Sequence, residues 1–173
     1  MSVVHSLALI ATLIAQTHAI PGQAVPDAAA ADAVTKSLFA AFGSMDTAAM
    51  KDHFAATVRF IGDPQFLGES RGPQVLRDLT RDQLIAAYSK MFSTMDPERW
   101  KPLVKLLKPS LTRAVAAGGH PEDTNGLLPN DFVKPGEYLF ELKAPGSGLD
   151  DVILFALRPV DGRWKVVAHW ADY

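Results

Sequence analysis

Residues 138–173, YLFELKAPGSGLDDVILFALRPVDGRWKVVAHWADY, decide the fold. Three runs rich in β-branched and aromatic residues, 138–143, 152–158 and 164–170, are separated by turn residues, which is typical of consecutive strands. Asp161 and Gly162 between the last two runs are a strong signal for a tight hairpin. The stretch therefore predicts an antiparallel meander that closes the protein.

Side chains on the last of these strands are expected to alternate between the two faces of the sheet. Strict alternation gives one face Trp164, Val166, Ala168 and Trp170, and the other face Lys165, Val167 and His169. If the tryptophan face packs against helices, His169 points away from them; if the faces are reversed, His169 enters the interior. The sequence leaves this choice open.

The chain before the meander has mainly helical periodicity. Asp32 is suited to cap a helix whose apolar residues recur through Phe42, Asp46 to start a second, shorter helix, and Asp82 to open the clearest helix of the chain. Residues 57–62 alternate as a strand that stops at Asp63 and Pro64. Residues 66–71 are expected to add a short strand or hairpin, and 110–115 to begin the main sheet, with a helix as the alternative there.

Helices followed by consecutive antiparallel strands predict an α+β fold. We expect a cone-shaped curved antiparallel sheet with the N-terminal helices packed on its concave face. The mouth of such a cone is the expected ligand pocket.

Composition narrows the function classes. A chain of 173 residues is the size of one domain, and its net charge of -2 offers no field for nucleic acid. The absence of cysteine excludes a disulfide scaffold, a thiolate metal site and a cysteine nucleophile. No glycine-rich phosphate loop or nucleophile elbow is present in the sequence, so no cofactor is expected.

The N-terminus has the layout of a signal peptide. Residues 7–15 are apolar and too short to span a bilayer, and Thr17, His18 and Ala19 resemble a small-x-small cleavage site. Residues 1–6 lack Lys and Arg, which is atypical. We expect a signal peptide at 1–19, a linker at 20–31 and one domain at 32–173. The protein is then exported, periplasmic or extracellular, without a stable membrane anchor, or cytoplasmic if the start is misassigned.

The segment 56–60 (ATVRF), followed by Asp63 and Pro64, and the closing GRWKVVAHW at 162–170 resemble the nuclear transport factor 2-like superfamily. That superfamily includes ketosteroid isomerases, scytalone dehydratase and SnoaL-like polyketide cyclases. The resemblance covers about residues 33–173 and implies a cystatin-like α+β roll. It also leads us to expect a homodimer formed through the sheet face.

The comparison with ketosteroid isomerases is incomplete. Asp63 resembles the family's proton-shuttling base before a proline, although two extra residues intervene. The donors of the family's oxyanion hole are missing, because their places hold Phe39, Ala41 or Phe42 on the first helix and Leu154 or Phe155 on a late strand. Loss of such donors removes several kcal/mol of transition-state stabilisation, so steroid-isomerase chemistry is not expected.

Two residues are candidate catalytic groups, each with a structural alternative. Asp63 is a general base in a pocket mouth or a turn residue before proline. His169 is an acid/base group or a buried structural histidine. Candidate ligand-binding residues are Arg59, His53, Tyr88, Trp100 and Trp170. His120 beside Glu122 and Asp123 fits no metal-ligand spacing, and no metal site is expected.

Three functions remain open. The first is an exported protein that binds a small apolar or carbonyl-containing ligand. The second is a cofactor-independent lyase, isomerase or cyclase of the SnoaL-like type that uses Asp63 or His169 as base. The third is an interaction module that holds a partner with the loop at 118–135. The enzyme hypothesis requires at least two of the polar candidates to converge in one cavity; these are Asp63, His53, His169, Arg59 and Tyr88.

Overall fold

The computed structural model describes residues 27–114, 128–129, 131–144 and 152–171. The helices within them are α1 (Ala28–Gly43), α2 (Thr47–Lys51), a 3₁₀ helix (Pro64–Leu67), α3 (Arg81–Ser93) and α4 (Pro97–Leu106). The strands are β1 (Phe54–Gly62), β2 (Val75–Thr80), β3 (Lys108–Arg113), β4 (Tyr138–Lys143), β5 (Val152–Val160) and β6 (Arg163–Ala171). None of the described helices is long and apolar enough to cross a membrane.

The first helix begins earlier than predicted. Asp27 caps α1 by accepting a hydrogen bond from the backbone amide of Ala30 at 2.8 Å, so the helix starts at Ala28, inside the predicted linker 20–31. The prediction that Asp32 caps the helix is wrong: it lies within α1 and pairs with Lys36 at 2.6 Å. A run of alanines after Asp27 favours helix enough to extend it toward the N-terminus. The predicted signal peptide 1–19 lies outside the described residues.

The six strands form one sheet in the order β2-β1-β6-β5-β4-β3. The predicted α+β architecture, helices on one side of a curved sheet, is confirmed. One detail differs from the prediction, because β1 pairs with β6 in parallel and the sheet is therefore mixed. The four remaining pairings are antiparallel, and they include the predicted meander β4-β5-β6.

The connection after β1 is a 3₁₀ helix rather than the strand or hairpin predicted at 66–71. The Asp63 carboxylate accepts from the amide of Gln65 at 2.7 Å and Pro64 occupies the first position, a combination that starts a helical turn. Gly68 ends the turn at φ +82°, a left-handed conformation that favours glycine. The antiparallel partner of β1 is instead β2. The first strand of the meander side, β3, begins at Lys108, two residues before the predicted start.

The sheet buries a hydrophobic cluster on each face. The larger cluster lies under the helices and includes Phe42, Tyr88 and Phe155. The smaller cluster lies on the opposite, outer face, where Leu128, Phe132 and Val133 pack against residues such as Leu154 and Trp170. Leu128, Phe132 and Val133 lie in the last part of the predicted loop 118–135. Its earlier part, 118–127, lies outside the described residues.

A β-bulge in β6 changes which side chains reach the helices. Val166 pairs with Leu157 and Ala168 pairs with Ala156, so Val167 has no opposite residue on β5. Trp164 and Val166 therefore belong to the helix-side cluster, whereas Ala168 and Trp170 belong to the outer one. The strict alternation predicted for this strand is wrong beyond Val166. His169 consequently lies on the helix side, where it touches Tyr88 of α3.

Substitution of Gly62 by alanine should destabilise the parallel pairing of β1 and β6. A Cβ there would overlap the backbone oxygen of its partner Ala171 and lie 2.9 Å from Phe60 Cζ. A backbone atom cannot move away without breaking the ladder, so we expect a loss of about 2–3 kcal/mol in the free energy of unfolding. Gly72→Ala is the matched control, because its Cβ would meet nothing closer than 3.7 Å. Urea unfolding that gives equal losses for both variants would contradict the assigned pairing.

Candidate ligand-binding site

The polar centre of the core is a hydrogen bond between Tyr88 and His169. The tyrosine hydroxyl lies 2.9 Å from the histidine Nε2, and both side chains are fully buried. The bond joins α3 to β6 through the interior of the cone. The other imidazole nitrogen, Nδ1, is buried and has no hydrogen-bond partner within the described part of the chain. A buried polar atom without a partner costs stability, about 1–3 kcal/mol by mutational measures.

Aromatic rings surround this pair. Phe155 stacks on the imidazole at 4.9 Å between ring centroids, and Phe60 and Phe66 lie at 5.6 and 5.8 Å. Phe66 also makes an edge contact with Tyr88 at 5.0 Å. The cone interior around His169 is therefore filled by side chains of the protein itself.

This apolar environment determines the protonation state of His169. Burial without a nearby carboxylate disfavours the imidazolium and lowers the pKa of His169 from 6.5 to about 3. At neutral pH the side chain is an uncharged imidazole. It can exchange hydrogen bonds with a hydroxyl or carbonyl group, but it is a weak base.

An apolar cavity of about 320 Å³ opens next to this core, between the 3₁₀ helix and the last turns of α3. We call it the mouth cavity. Its walls are Gln65, Phe66, Lys90, Met91, Thr94 and Met95. Phe66 belongs both to the mouth cavity and to the surroundings of the buried pair. It lines the cavity, and its ring packs on Tyr88 and His169. The phenyl ring is thus part of the wall between the mouth cavity and the buried polar pair.

Asp63 and Arg59 lie away from the mouth cavity walls. The Asp63 carboxylate caps the 3₁₀ helix, the structural role that its position before proline suggests. Arg59 is on the outer face of the sheet, where it pairs with Asp131 at 2.7 Å and Asp78 at 3.4 Å. These bonds hold the pKa of Arg59 above its ordinary value, the hydrogen bond to Asp131 contributing most. Arg59 lines a separate cavity of about 410 Å³, whose walls also include Asp78, Asp131 and Lys134.

The other predicted binding residues are dispersed. His53 Nε2 lies 3.0 Å from the hydroxyl of Ser37 in the middle of α1, and burial together with the nearby Lys165 charge lowers the pKa of His53. Trp100 donates from Nε1 to the backbone oxygen of Phe42 at 3.3 Å and packs in the helix layer. Trp170 is buried in the outer cluster. Of the predicted polar candidates, the structure brings only Tyr88 and His169 into hydrogen-bond contact with each other, within the residues it describes.

The walls of the mouth cavity include residues that the sequence analysis did not single out. Lys90, Met91, Thr94 and Met95 form two adjacent pairs spaced four residues apart, which places them on one side of the end of α3. That spacing was available as a signal. Gln65 and Phe66 lie on the 3₁₀ helix, and no spacing along the chain relates that turn to the end of α3.

Groups of three or more potential metal-ligating side chains are absent from residues 27–114, 128–129, 131–144 and 152–171. Neither a family model nor a curated protein matches this sequence.

Several solved structures have a similar chain arrangement at low sequence identity. An NTF-2 like protein of unknown function from Shewanella oneidensis is 13% identical, with 82% of this chain and 95% of that chain covered and a TM-score of 0.46. A ketosteroid isomerase-like protein from Erwinia carotovora atroseptica is 15% identical, with 82% and 92% covered and a TM-score of 0.43. A domain of unknown function with a cystatin-like fold from Nostoc punctiforme is 14% identical, with 86% and 80% covered and a TM-score of 0.43. The likeness to these structures concerns the fold alone.

The buried imidazole should make the protein acid-labile. His169 in the unfolded chain has an ordinary pKa near 6.5, whereas in the folded chain it is about 3. Below pH 6.5 the unfolded chain therefore takes up a proton that the folded chain does not, and stability falls by up to about 1.4 kcal/mol per pH unit. Urea unfolding between pH 7.5 and 5 measures this slope.

His169→Gln should flatten most of that slope. His53→Gln is the matched control. His53 is only half-buried and its pKa is depressed less than that of His169, so this substitution should leave most of the pH dependence of stability in place. The assignment fails if the slope of the His169→Gln variant equals that of the unmodified protein.

Proposed function

We propose that this chain is an exported small-molecule-binding protein that holds an apolar or carbonyl-containing ligand in the mouth cavity. The observation that carries the proposal is the cavity itself: an apolar space of about 320 Å³ at the edge of an otherwise filled cone. A volume of this order lies at the lower end of the range for small-molecule sites. Export is inferred from the sequence of residues 1–19.

The chemistry of the walls supports an apolar ligand. Phe66, Met91 and Met95 provide the apolar surface, and methionine side chains adapt their shape to irregular ligands. Gln65 and Thr94 add polar groups at the rim. The Thr94 hydroxyl donates to the Met91 backbone oxygen at 2.7 Å, which leaves the lone pairs of its oxygen available to accept a hydrogen bond.

The catalytic alternative requires Phe66 to move. The Tyr88–His169 pair is a hydroxyl and an imidazole in contact, the kind of pair that can act on a carbonyl-containing substrate in a lyase, isomerase or cyclase. A substrate in the mouth cavity would reach it only after the Phe66 ring swings aside. With a pKa near 3, His169 would serve as a neutral hydrogen-bonding group better than as a general base.

The remaining proposals concern partners. A homodimer through the outer sheet face would have to include residues 128–133, since Leu128, Phe132 and Val133 already pack there. An interaction module built on residues 118–135 would use the part of that loop that precedes these anchors.

Filling the mouth cavity should prevent ligand binding. Thr94→Trp places an indole among Phe66, Met91 and Met95, and because Thr94 is exposed at the end of α3 the fold should tolerate it. Nile red, a neutral apolar dye, is expected to bind the unmodified protein and to lose about tenfold or more in affinity for this variant, because the cavity volume is lost.

Ser93→Trp is the matched control, since Ser93 is exposed on the adjacent turn and is not part of the cavity wall. Fluorescence titration of purified protein supplies the dissociation constants. A dye affinity that is equal in the Thr94→Trp and Ser93→Trp variants would place the apolar site elsewhere.

A further inference from the structure

Lys90 is the one basic side chain that lines the mouth cavity as the structure describes it. It projects from α3, and its ammonium nitrogen lies close to Gly68, because a Cβ built at that glycine would overlap with it. Gly68, which ends the 3₁₀ helix, thus leaves room for the end of the lysine side chain. Lys90 is exposed to solvent and lines the same cavity as Gln65 and Phe66.

The charge of Lys90 is not neutralised by a carboxylate among the described residues. Glu69, which follows Gly68, is engaged by Arg77 through both carboxylate oxygens, one of them at 2.9 Å from Nη2. That pairing lowers the pKa of Glu69, so the carboxylate stays charged and bound to Arg77. Lys90 is thereby left as a cation beside an apolar cavity and next to an acid that already has its partner.

We propose, building on the function proposed above, that the ligand is an amphipathic monocarboxylate: an aliphatic chain in the mouth cavity and a carboxylate on Lys90. The chain would lie against Phe66, Met91 and Met95, and the carboxylate would accept hydrogen bonds from the Lys90 ammonium at the solvent edge. A charge-assisted hydrogen bond at the rim and apolar burial beneath it are complementary to such a molecule.

The single positive charge of Lys90 determines which ligand charge is complementary to the site. One ammonium matches one carboxylate, whereas a phosphate monoester carries close to two charges and is usually held by several donors. Glu69 and Arg77 neutralise each other, so that pair does not supply a second positive charge for a doubly charged head group. A cationic amphiphile would be repelled by Lys90 itself.

Decanoate and decanol, below their aggregation concentrations, test the proposal by competition with bound Nile red at pH 7.5. We expect decanoate to displace the dye from the unmodified protein at a concentration about fivefold lower than decanol, an effect limited by the solvent exposure of Lys90. Lys90→Met keeps the apolar stem and removes the charge, so it should remove the preference. Lys90→Arg keeps the charge and should retain it. Raising the salt concentration should weaken decanoate binding to the unmodified protein and leave decanol unchanged.

The outcomes separate the two proposals. If both compounds displace the dye equally from the unmodified protein and from Lys90→Met, the mouth cavity binds apolar ligands and the carboxylate preference is wrong. If Nile red binds as well to Thr94→Trp as to Ser93→Trp, the site itself is wrong. A decanoate preference that persists in Lys90→Met would overturn the role of Lys90.

Discussion

The arrangement of this protein depends on the bulge at Val167. Because one residue of β6 is unpaired, every later side chain of that strand lies on the face opposite to the one that strict alternation gives. His169 therefore points into the cone and Trp170 points out of it. The imidazole then meets the Tyr88 hydroxyl at 2.9 Å and is enclosed by phenylalanine rings. A cone filled in this way leaves a cavity at its edge, against α3 and the 3₁₀ helix. The position of the candidate site is thus a consequence of one irregularity in the last strand.

Much of the fold could be predicted from the sequence, because strong local signals specify it. The hairpin at Asp161 and Gly162, the three apolar runs of the meander and the helical stripe of α3 all correspond to elements of the structure. Errors arose where two local signals competed. Asp27 and Asp32 both suit a helix start, and the alanines between them extended the helix to the earlier one. Asp63 and Pro64 mark the end of β1 correctly, but they also begin a helical turn where the sequence predicts a short strand or hairpin.

The candidate site was harder to predict, because it depends on tertiary pairing. A bulge leaves no trace in the alternation of β6 itself, since Val167 would suit either face of a strand. The sequence therefore identifies Tyr88 and His169 as separate candidate site residues and does not indicate that they touch. Lys90 was overlooked because a lysine on a helix is usually a solvated residue. Its significance comes from Gly68 and from the Arg77–Glu69 pair, which lie on other elements.

The parallel pairing of β1 with β6 has a consequence for how the chain folds. Strand β6 lies between β1 and β5, so the sheet consists of two separate halves until residues 163–171 are in place. Contacts between segments about a hundred residues apart form slowly, because the entropy cost of closing the loop between them comes before the contacts can stabilise the chain. A chain still emerging from the ribosome lacks the strand that joins its halves. The native sheet can therefore be completed only after residues 163–171 are available, and the pairing of β1 with β6 is expected to be among the last contacts to form.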